Sequence, residues 1–411
     1  MDMAGARRSL AGLLGTWGLT RLLLLLFVFK VWTFPGPDVT SDVSVIYQGW
    51  YEVLRTGTFP RGDVTWQYPP AAALAILSPA LLPFLQYASA FFVLAFLADA
   101  VVLALVVYAG LRPGKSLRGA WVWVAGVPLL GPTVYARYDV MVTAVAVAAL
   151  LAGARRPRVM GVLVGFAALL KVWPALLLVG ARKRGAWTWA AGCVAMVGGL
   201  FAVSMPGAFS FLTAQRGRGT EVESLGSLVF HVARHFGWGG RVLFNYGSIE
   251  FVGPWVDAVS SAALFLTGVA FGWLLLWRLM ATRFLPATLA DAAFTGVLMF
   301  TVTSRVISPQ YLVWLIGLAA VCLCFRGSRM VLPTALVLTA ALLTVLEFPL
   351  WFQHVVASDR LGVTLLLLRN GLLLLAAILA ARELWRSTVS RAPVPPLPTQ
   401  PTRTKETSTS S

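Results

Sequence analysis

Apolar runs of membrane length, separated by short polar loops, recur along the chain from about residue 10 to residue 381. A helix that crosses a bilayer needs about 20 mainly apolar residues. About ten segments approach that length, namely residues 10–33, 89–109, 120–136, 138–153, 186–204, 255–277, 287–303, 311–325, 330–346 and 361–381. Two further apolar stretches, 71–86 and 159–180, contain prolines, which interrupt a helix. The pattern predicts an all-α polytopic membrane protein with about ten full crossings and two broken or re-entrant segments.

The composition supports the same class. The 411 residues are 58% hydrophobic and only 12% charged, which leaves too few polar residues to cover the surface of a soluble domain. The net charge of +17 fits basic loops on the cytoplasmic side of a membrane. No basic run is interleaved with stacking aromatic residues outside the apolar segments, so we expect no nucleic-acid partner. The first apolar run is followed by no small-residue cleavage site, which indicates a retained transmembrane helix.

Basic residues gather in one set of loops, and the positive-inside rule assigns these loops to the cytoplasm. Both termini of this multi-pass protein of the cell membrane are then cytoplasmic, and external loops form at residues 34–70, 205–253 and 347–360. Residues 1–391 are predicted to form one transmembrane domain. Residues 392–411 contain too few apolar residues to fold, so we expect a disordered cytoplasmic tail.

The assignment of sides requires that residues 159–180 do not span the membrane. Basic clusters flank this segment on both sides, and the sequence "LLKVWP" interrupts it, since proline disfavours helix at the residue before it. One interpretation is a re-entrant hairpin of two half-helices. The other is a single kinked spanning helix that leaves one basic loop on the wrong side.

The first external loop contains a helical pattern over residues 42–55. Its apolar positions recur every three or four residues, at Val43, Ile46, Tyr47, Trp50 and Leu54. The spacing predicts an amphipathic helix that lies at the interface with its apolar stripe in the lipid headgroup boundary. Ser41 stands at the N-cap position and Gly57 at the expected stop.

Asp42, in the first turn of that helix, is the candidate general base, because it would face an aqueous cavity at the membrane surface. The alternative is a carboxylate that only stabilises the helix N-terminus. Asp38 is predicted to be a loop residue. The corner at Tyr68-Pro69-Pro70 is expected to hold the loop against the membrane.

Several arginines are candidates for binding a phosphate. Arg305 precedes a helix predicted to start near Ser308-Pro309, and a cation beside a helix N-terminus suits a phosphate. Its alternative role is that of a snorkelling anchor at the interface. Arg216 and Arg218 either contact a phosphate or pair with Glu221 and Glu223 on a wet surface.

Five further polar residues in or near the membrane are candidates for a role in function. Lys171 at the helix break is costly in mid-membrane unless it lines a cavity or finds a partner, which indicates a functional or network role. Asp139, in the motif "RYD", is either a capping or arginine-pairing residue or a substrate contact. His354 is a candidate to orient an acceptor. His231 and His235 have helical metal-ligand spacing but lack a clear third ligand, so we predict no metal.

The order of these motifs resembles glycosyltransferase family 87. The first loop carries Asp42, Tyr47, Gly57 and Asp63 before "WQYPP", and the likeness continues in "RYDVMVTAVAVAALLAGARRPRVMGVLVGFAALLKVWPALLL", "RGTEVESLGSLV" and "SRVISPQYLVWL". It extends from about residue 42 to residue 314. Many relatives carry Glu before Tyr-Pro-Pro where this chain has Gln67, which weakens any acid or metal role there.

The resemblance implies a GT-C fold and a polyprenol-phosphate-mannose-dependent mannosyltransferase of the kind common in actinobacteria. Such an inverting enzyme would move a hexose, most simply mannose, from a polyprenyl-phosphate donor to a glycolipid or glycan acceptor on the outer face, without metal or cofactor. We predict Asp42 as the base. The predicted substrate contacts are Tyr68, Asp139, Lys171, Arg216, Arg218, Arg305, Gln310, Tyr311 and His354.

Two other classes compete with an enzyme, and membrane lipids would surround the protein in each case. A transporter or flippase of lipid-linked sugars would favour inverted repeats with paired broken helices. The sequence shows no second copy of the "LLKVWP" break. A scaffold would not need acidic, basic and aromatic motifs gathered on one face.

Overall fold

The computed structural model describes residues 3–214 and 217–389, which are mostly helical. Arg216 and the predicted tail, residues 392–411, lie outside the described residues. The helices are α1 (Met3–Val28), α2 (Gln48–Leu54), α3 (Ala72–Leu77), α4 (Tyr87–Gly110), α5 (Arg118–Gly126), α6 (Asp139–Gly153), α7 (Pro157–Leu170), α8 (Arg184–Ser204), α9 (Phe211–Ala214), α10 (Leu228–Ala233), α11 (Val256–Met280), α12 (Thr288–Thr303), α13 (Tyr311–Leu323), α14 (Val331–Val345), α15 (Phe352–Ala357) and α16 (Arg360–Thr388).

Turns of 3₁₀ or π geometry extend several of these helices. The π turns are Asp42–Tyr47 and Leu346–Leu350, and the 3₁₀ turns are Ser78–Leu81, Val127–Val134, Trp173–Gly180 and Arg234–Phe236. The strands are β1 (Thr220–Glu221), β2 (Arg241–Asn245) and β3 (Ser248–Val252).

Within the described ranges, 6 helices are long and apolar enough to cross a membrane. They are Ser9–Val28, Tyr87–Gly110, Arg184–Ser204, Val256–Met280, Val331–Leu350 and Arg360–Thr388. Other apolar helices, including α6, α7, α12 and α13, have only 10–17 residues. The prediction of about ten full crossings is therefore not confirmed. Segment 120–136 is not one helix, because Gly131 adopts φ +60° and Pro132 follows it.

Both segments that contain interrupting prolines are broken. The helix α3 passes into a 3₁₀ turn that includes Pro79. In the other segment α7 ends at Leu170, Lys171 is extended, and a 3₁₀ turn begins at Trp173. Pro174 accounts for this break, since it disfavours helix at the preceding residue and donates no hydrogen bond. Residues 159–180 therefore do not form a continuous kinked helix.

A buried polar cluster ties the first helix to its neighbours. The Asp99 carboxylate of α4 accepts hydrogen bonds from Arg21 Nε at 2.7 Å, Trp123 Nε1 at 2.5 Å and Tyr135 Oη at 2.5 Å. Arg21 also donates to the carbonyl oxygen of Val124 at 2.8 Å. A buried charge pair is tolerated only when its remaining polar atoms are satisfied. These bonds fix α1 against α4 and α5.

The helix over residues 42–55 exists, but its apolar stripe does not face lipid. Val43, Tyr47, Trp50 and Leu54 are all buried within the protein core. Tyr47, for example, packs on Tyr138, with ring centroids 6.1 Å apart. The prediction of an interfacial stripe is wrong because the other elements cover this face. The Ser41 side chain does not cap the helix and donates instead to the Asp38 carbonyl oxygen.

The loop over residues 205–253 contains a small antiparallel sheet that the all-α prediction missed. Its strand order is β1-β3-β2. Tyr246 and Gly247 connect β2 to β3 with φ of +50° and +73°, and positive φ at both central residues is the signature of a type I′ hairpin. The sequence signal for this hairpin is a turn between two β-prone runs, in "RVLFNYGSIEFV".

Candidate active site

A cavity of about 380 Å³ lies between the first loop, the β2–β3 turn and the facing ends of α11, α12 and α13. It brings together residues that are far apart in the sequence. Seven predicted site residues line it, namely Asp42, Tyr68, Lys171, Arg218, Arg305, Gln310 and Tyr311. The wall combines one carboxylate, several cations and aromatic rings.

Asp42 is held at the wall by an arginine from the "RYD" motif. Its Oδ2 lies 2.5 Å from Arg137 Nη2. Arg137 is anchored in turn by donating to the carbonyl oxygens of Val39 at 3.3 Å and Ala136 at 2.8 Å. The Asp42 side chain keeps 29% of its surface exposed. The carboxylate is therefore oriented and still accessible.

Asp139 pairs with lysine and not with arginine. Its Oδ1 accepts from Lys171 Nζ at 2.6 Å and from Trp314 Nε1 at 2.7 Å. The carboxylate is buried behind the cavity and does not line it. Asp139 thus anchors the helix break, and the arginine-pairing prediction is wrong for it, because Arg137 points to Asp42.

Aromatic rings surround the Lys171 ammonium group. Its Nζ lies 5.0 Å from the ring centroid of Trp314, 5.5 Å from that of Tyr68 and 5.7 Å from that of Tyr311. Tyr311 stacks on Trp314 at 4.0 Å, and Trp173 stacks on the same indole at 5.1 Å. Cation–π attraction adds to the ion pair with Asp139. Lys171 has the partners that a buried ammonium group requires.

Gln67 orients Arg218 and connects it to the hairpin. Arg218 Nη1 donates to Gln67 Oε1 at 2.7 Å, and Nη2 donates to Ser248 Oγ at 2.8 Å. Gln67 Nε2 donates to the Tyr246 carbonyl oxygen at 2.8 Å and to that of Val64 at 3.0 Å. Arg218 Nε is buried and has no hydrogen-bond partner among the described residues. Arg218 is therefore held at the cavity wall by neutral partners.

Arg305 lies beside Arg218, and Glu221 binds the turn that follows Arg305. Arg305 Nη1 donates to the Arg218 carbonyl oxygen at 3.0 Å. Glu221 accepts from the Ile307 amide at 2.7 Å and from Ser308 Oγ at 2.9 Å, and α13 begins only at Tyr311. The predicted helix N-terminus at Ser308-Pro309 is thus already capped by a carboxylate. Burial raises the pKa of Glu221 above its usual range.

Glu223 is buried as well, so neither glutamate pairs with Arg218 on a wet surface. Arg369 on α16 binds Glu347 through two nitrogens, and its Nη2 lies 3.5 Å from Glu223 Oε1. Asn370 donates to the Glu223 carbonyl oxygen at 3.3 Å. This cluster fastens the loop before α10 to α16.

His354 lies away from the cavity. Its Nδ1 is 2.5 Å from Asp359 Oδ2, and Asp359 caps α16 by accepting from the Gly362 amide at 3.0 Å. The Gly362 amide and His354 together hold the pKa of Asp359 below its usual range. The imidazole is displaced because the loop after α14 folds back on the start of α16. The predicted contact with a substrate does not fit this position.

His231 and His235 both bond to Ser358 and do not face a shared site. His231 Nδ1 lies 2.7 Å from Ser358 Oγ, and His235 Nε2 lies 2.8 Å from the Ser358 carbonyl oxygen. Burial lowers the pKa of His231 to about 4. Over the described ranges, no three His, Cys, Asp or Glu side chains form a group that could hold a metal ion.

Several residues that build the site were not predicted from the sequence. Gln67, Arg137, Tyr246 and Ser248 all position the predicted ones. Gln67 and Arg218 are 151 residues apart. The hairpin signal would have placed Tyr246 in a turn, but no local pattern predicts which side chain that turn meets.

Comparison with known proteins identifies the family. The sequence profile of glycosyltransferase family 87 matches residues 66–309, more than half of the chain. This range includes Gln67, Asp139, Lys171, Arg218 and Arg305 but not Asp42. Comparisons with curated proteins and with solved structures gave no match. The chain belongs to glycosyltransferase family 87, and we conclude that it is a membrane glycosyltransferase.

Proposed function

We propose that this glycosyltransferase transfers a hexose, most simply mannose, from a polyprenyl-phosphate donor to a hydroxyl group of a glycolipid or glycan. The reaction takes place on the outer face of the cell membrane. Both termini lie in the cytoplasm, and the shorter helices add to the six long ones to give about ten crossings in a GT-C-like bundle. The specificity for mannose and the polyprenyl donor rest on the family resemblance.

The observation that carries the proposal is an oriented carboxylate in the same cavity as two arginines. Asp42, Arg218 and Arg305 all line it. Arg137 fixes the Asp42 carboxylate from behind at 2.5 Å and leaves part of it accessible. A transferase that uses an activated donor needs such a base together with cations for the leaving group.

The bond changes follow from these positions. The acceptor oxygen attacks the anomeric carbon of the sugar, and Asp42 takes the proton from that oxygen. The bond between the anomeric carbon and the phosphate oxygen breaks, and the electron pair leaves with the polyprenyl phosphate. Attack from the face opposite to the phosphate inverts the anomeric configuration.

Arg218 and Arg305 stabilise the departing phosphate. Arg218 is pre-oriented by Gln67 and Ser248 and keeps its Nε donor unpartnered within the described part of the chain. Charge-assisted hydrogen bonds of a guanidinium group to phosphate are among the strongest in proteins. Gln310 and Tyr311 contact the sugar or the acceptor from the start of α13, and Tyr68 lines the same cavity.

The test is Asp42→Asn, assayed with synthetic polyprenyl-phosphate-mannose and membrane acceptors. The amide retains the size of the carboxylate and still accepts a hydrogen bond from Arg137, but it is not basic. We expect turnover to fall by about 10²-fold or more while the donor still binds. The measurement is the rate of mannose transfer at saturating donor.

Two aspartates of the same loop are matched controls. Asp38 pairs with Lys30 at 2.8 Å, and Asp63 accepts from Trp50 Nε1 at 2.8 Å. The lining of the cavity includes neither, so Asp38→Asn and Asp63→Asn are expected to keep most of the activity. A fully active Asp42→Asn enzyme would refute the assignment of the base.

A further inference from the structure

A second pocket lies at the opposite end of the bundle from the candidate active site. Its volume is about 850 Å³, and it lies between the ends of α4, α6 and α13 and the start of α7. Both α6 and α13 begin at the active site, with Asp139 and Tyr311. Their 15 and 13 residues separate the two sites by about 20 Å.

Four basic side chains converge on this pocket, which we call the basic pocket: Arg112, Lys115, Arg155 and Arg156. No acidic side chain lines it. In the described portion of the chain, none of the four forms an ion pair within 4.0 Å. The positive charge of the pocket is therefore not neutralised by the protein.

The contacts of two of these cations are with neutral groups. Arg112 Nη2 donates to Tyr108 Oη at 2.5 Å, and Lys115 Nζ lies 3.0 Å from the ring centroid of Phe325. Burial lowers the pKa of Lys115, and the nearby charges of Arg155 and Arg112 lower it further. Like charges this close repel one another, and a bound anion would offset the repulsion.

The other walls of the pocket are apolar and continue along the helices. Leu105, Leu151 and Val159 line it together with Phe325. A free phosphate ion would gain nothing from these side chains, whereas an acyl chain buries them. Basic residues such as Lys183 and Arg184 differ, because they do not line the pocket. Topology alone therefore explains basic residues in loops but not their convergence in an amphipathic pocket.

We propose that the basic pocket binds an anionic phospholipid of the leaflet on that side. The phosphate lies among Arg112, Lys115, Arg155 and Arg156, and the acyl chains lie against the apolar wall. Basic pockets between membrane helices are suited to such headgroups. The proposal does not depend on the transferase reaction or on Asp42.

The experiment uses the full-length protein in detergent and native mass spectrometry. Dioctanoyl-phosphatidylglycerol is titrated as the anionic probe, and dioctanoyl-phosphatidylcholine as the zwitterionic one. We expect the anionic lipid to bind at least about tenfold more tightly, and Arg112→Gln/Arg155→Gln to weaken it by about 30-fold, because each of the two basic residues contributes about fivefold, on the order of 1 kcal/mol. Inorganic phosphate at the same concentrations should not displace the lipid.

The matched control is Lys183→Gln/Arg184→Gln, which removes the same charge from the same end of the molecule outside the pocket. It should bind the anionic lipid like the wild type. Equal binding of the two lipids, equal losses in both double variants, or displacement by inorganic phosphate would overturn the proposal. If the pocket variant does not fold, the exposed Arg155→Gln alone provides the test, with a loss of about fivefold expected.

Discussion

At the scale of single residues, Gln67 shows how a side chain that takes no part in the proposed reaction determines the geometry of the site. Its carbonyl oxygen accepts from Arg218 while its amide nitrogen donates to two backbone carbonyl oxygens, those of Val64 and Tyr246. An amide does both, whereas a carboxylate only accepts. A glutamate at this position would accept from Arg218 but would lack the donor.

Gln67→Glu is therefore expected to weaken binding of the donor. The new carboxylate would neutralise Arg218, and the carbonyl oxygen of Tyr246 would lose its hydrogen bond. Hydrogen bonds to charged groups contribute about 1.5–3 kcal/mol, so KM for the polyprenyl-phosphate donor should rise by about tenfold or more. Steady-state kinetics measures this.

The control for that substitution is Gln86→Glu, which adds the same charge at an exposed position before α4. Its KM should match that of the wild type. An unchanged KM in Gln67→Glu would mean that Arg218 does not contact the donor phosphate.

At the scale of elements, the ion pair between Asp139 and Lys171 joins α6 to the break after α7. The Asp139 carboxylate is 1% exposed, and removal of one partner from such a pair leaves an uncompensated buried charge. Asp139→Asn is expected to lower the free energy of unfolding by about 3 kcal/mol. Thermal unfolding in detergent, followed by tryptophan fluorescence, measures the loss.

The double variant Asp139→Asn/Lys171→Met separates a structural role from a role in substrate binding. Replacing both charges removes the uncompensated one, so the double variant should recover most of the stability. If Asp139→Asn remains as stable as the wild type but loses donor binding, the pair serves the substrate and not the fold.

The elements also show what a sequence can and cannot predict. The long spans α4, α11 and α16 were predicted because a run of apolar residues is a local property. The break at Lys171 was predicted because Pro174 acts on its own neighbours. The apolar stripe of residues 42–55 was assigned to lipid instead of protein, because periodicity shows which face is buried but not what covers it.

The same reasoning applies to the candidate site. Asp42, Arg218 and Arg305 were selected by their chemistry, and the structure places them around one cavity. Their partners Arg137 and Gln67 come from other parts of the chain and left no local signal. His354 lies away from the cavity because its loop folds back on the start of α16. Such a contact between distant parts of the chain cannot be predicted from local sequence.

At the scale of the whole molecule, the proposed topology assigns the hairpin and the loop before α8 to opposite sides. A reporter that is active only outside the cytoplasm should work when fused after Thr220 and fail when fused after Arg184, because the latter position follows a basic loop. Colonies that carry each fusion are compared for reporter activity at equal expression. Activity at both positions would show that residues 159–180 cross the membrane.

The lengths of the helices have a consequence for how a substrate reaches the protein. The helices α4, α11 and α16 have 24, 25 and 29 residues, whereas the buried α13 has 13. At 1.5 Å per residue α13 is about 20 Å long, short of the roughly 30 Å of hydrocarbon in a bilayer. The buried α13 is thus too short to span the hydrocarbon by itself, and Tyr311 at its start lines the cavity. If the donor is the polyprenyl phosphate proposed above, its carrier would reach this cavity sideways, by two-dimensional diffusion in its own leaflet, and its sugar would not have to rise into bulk water to be transferred.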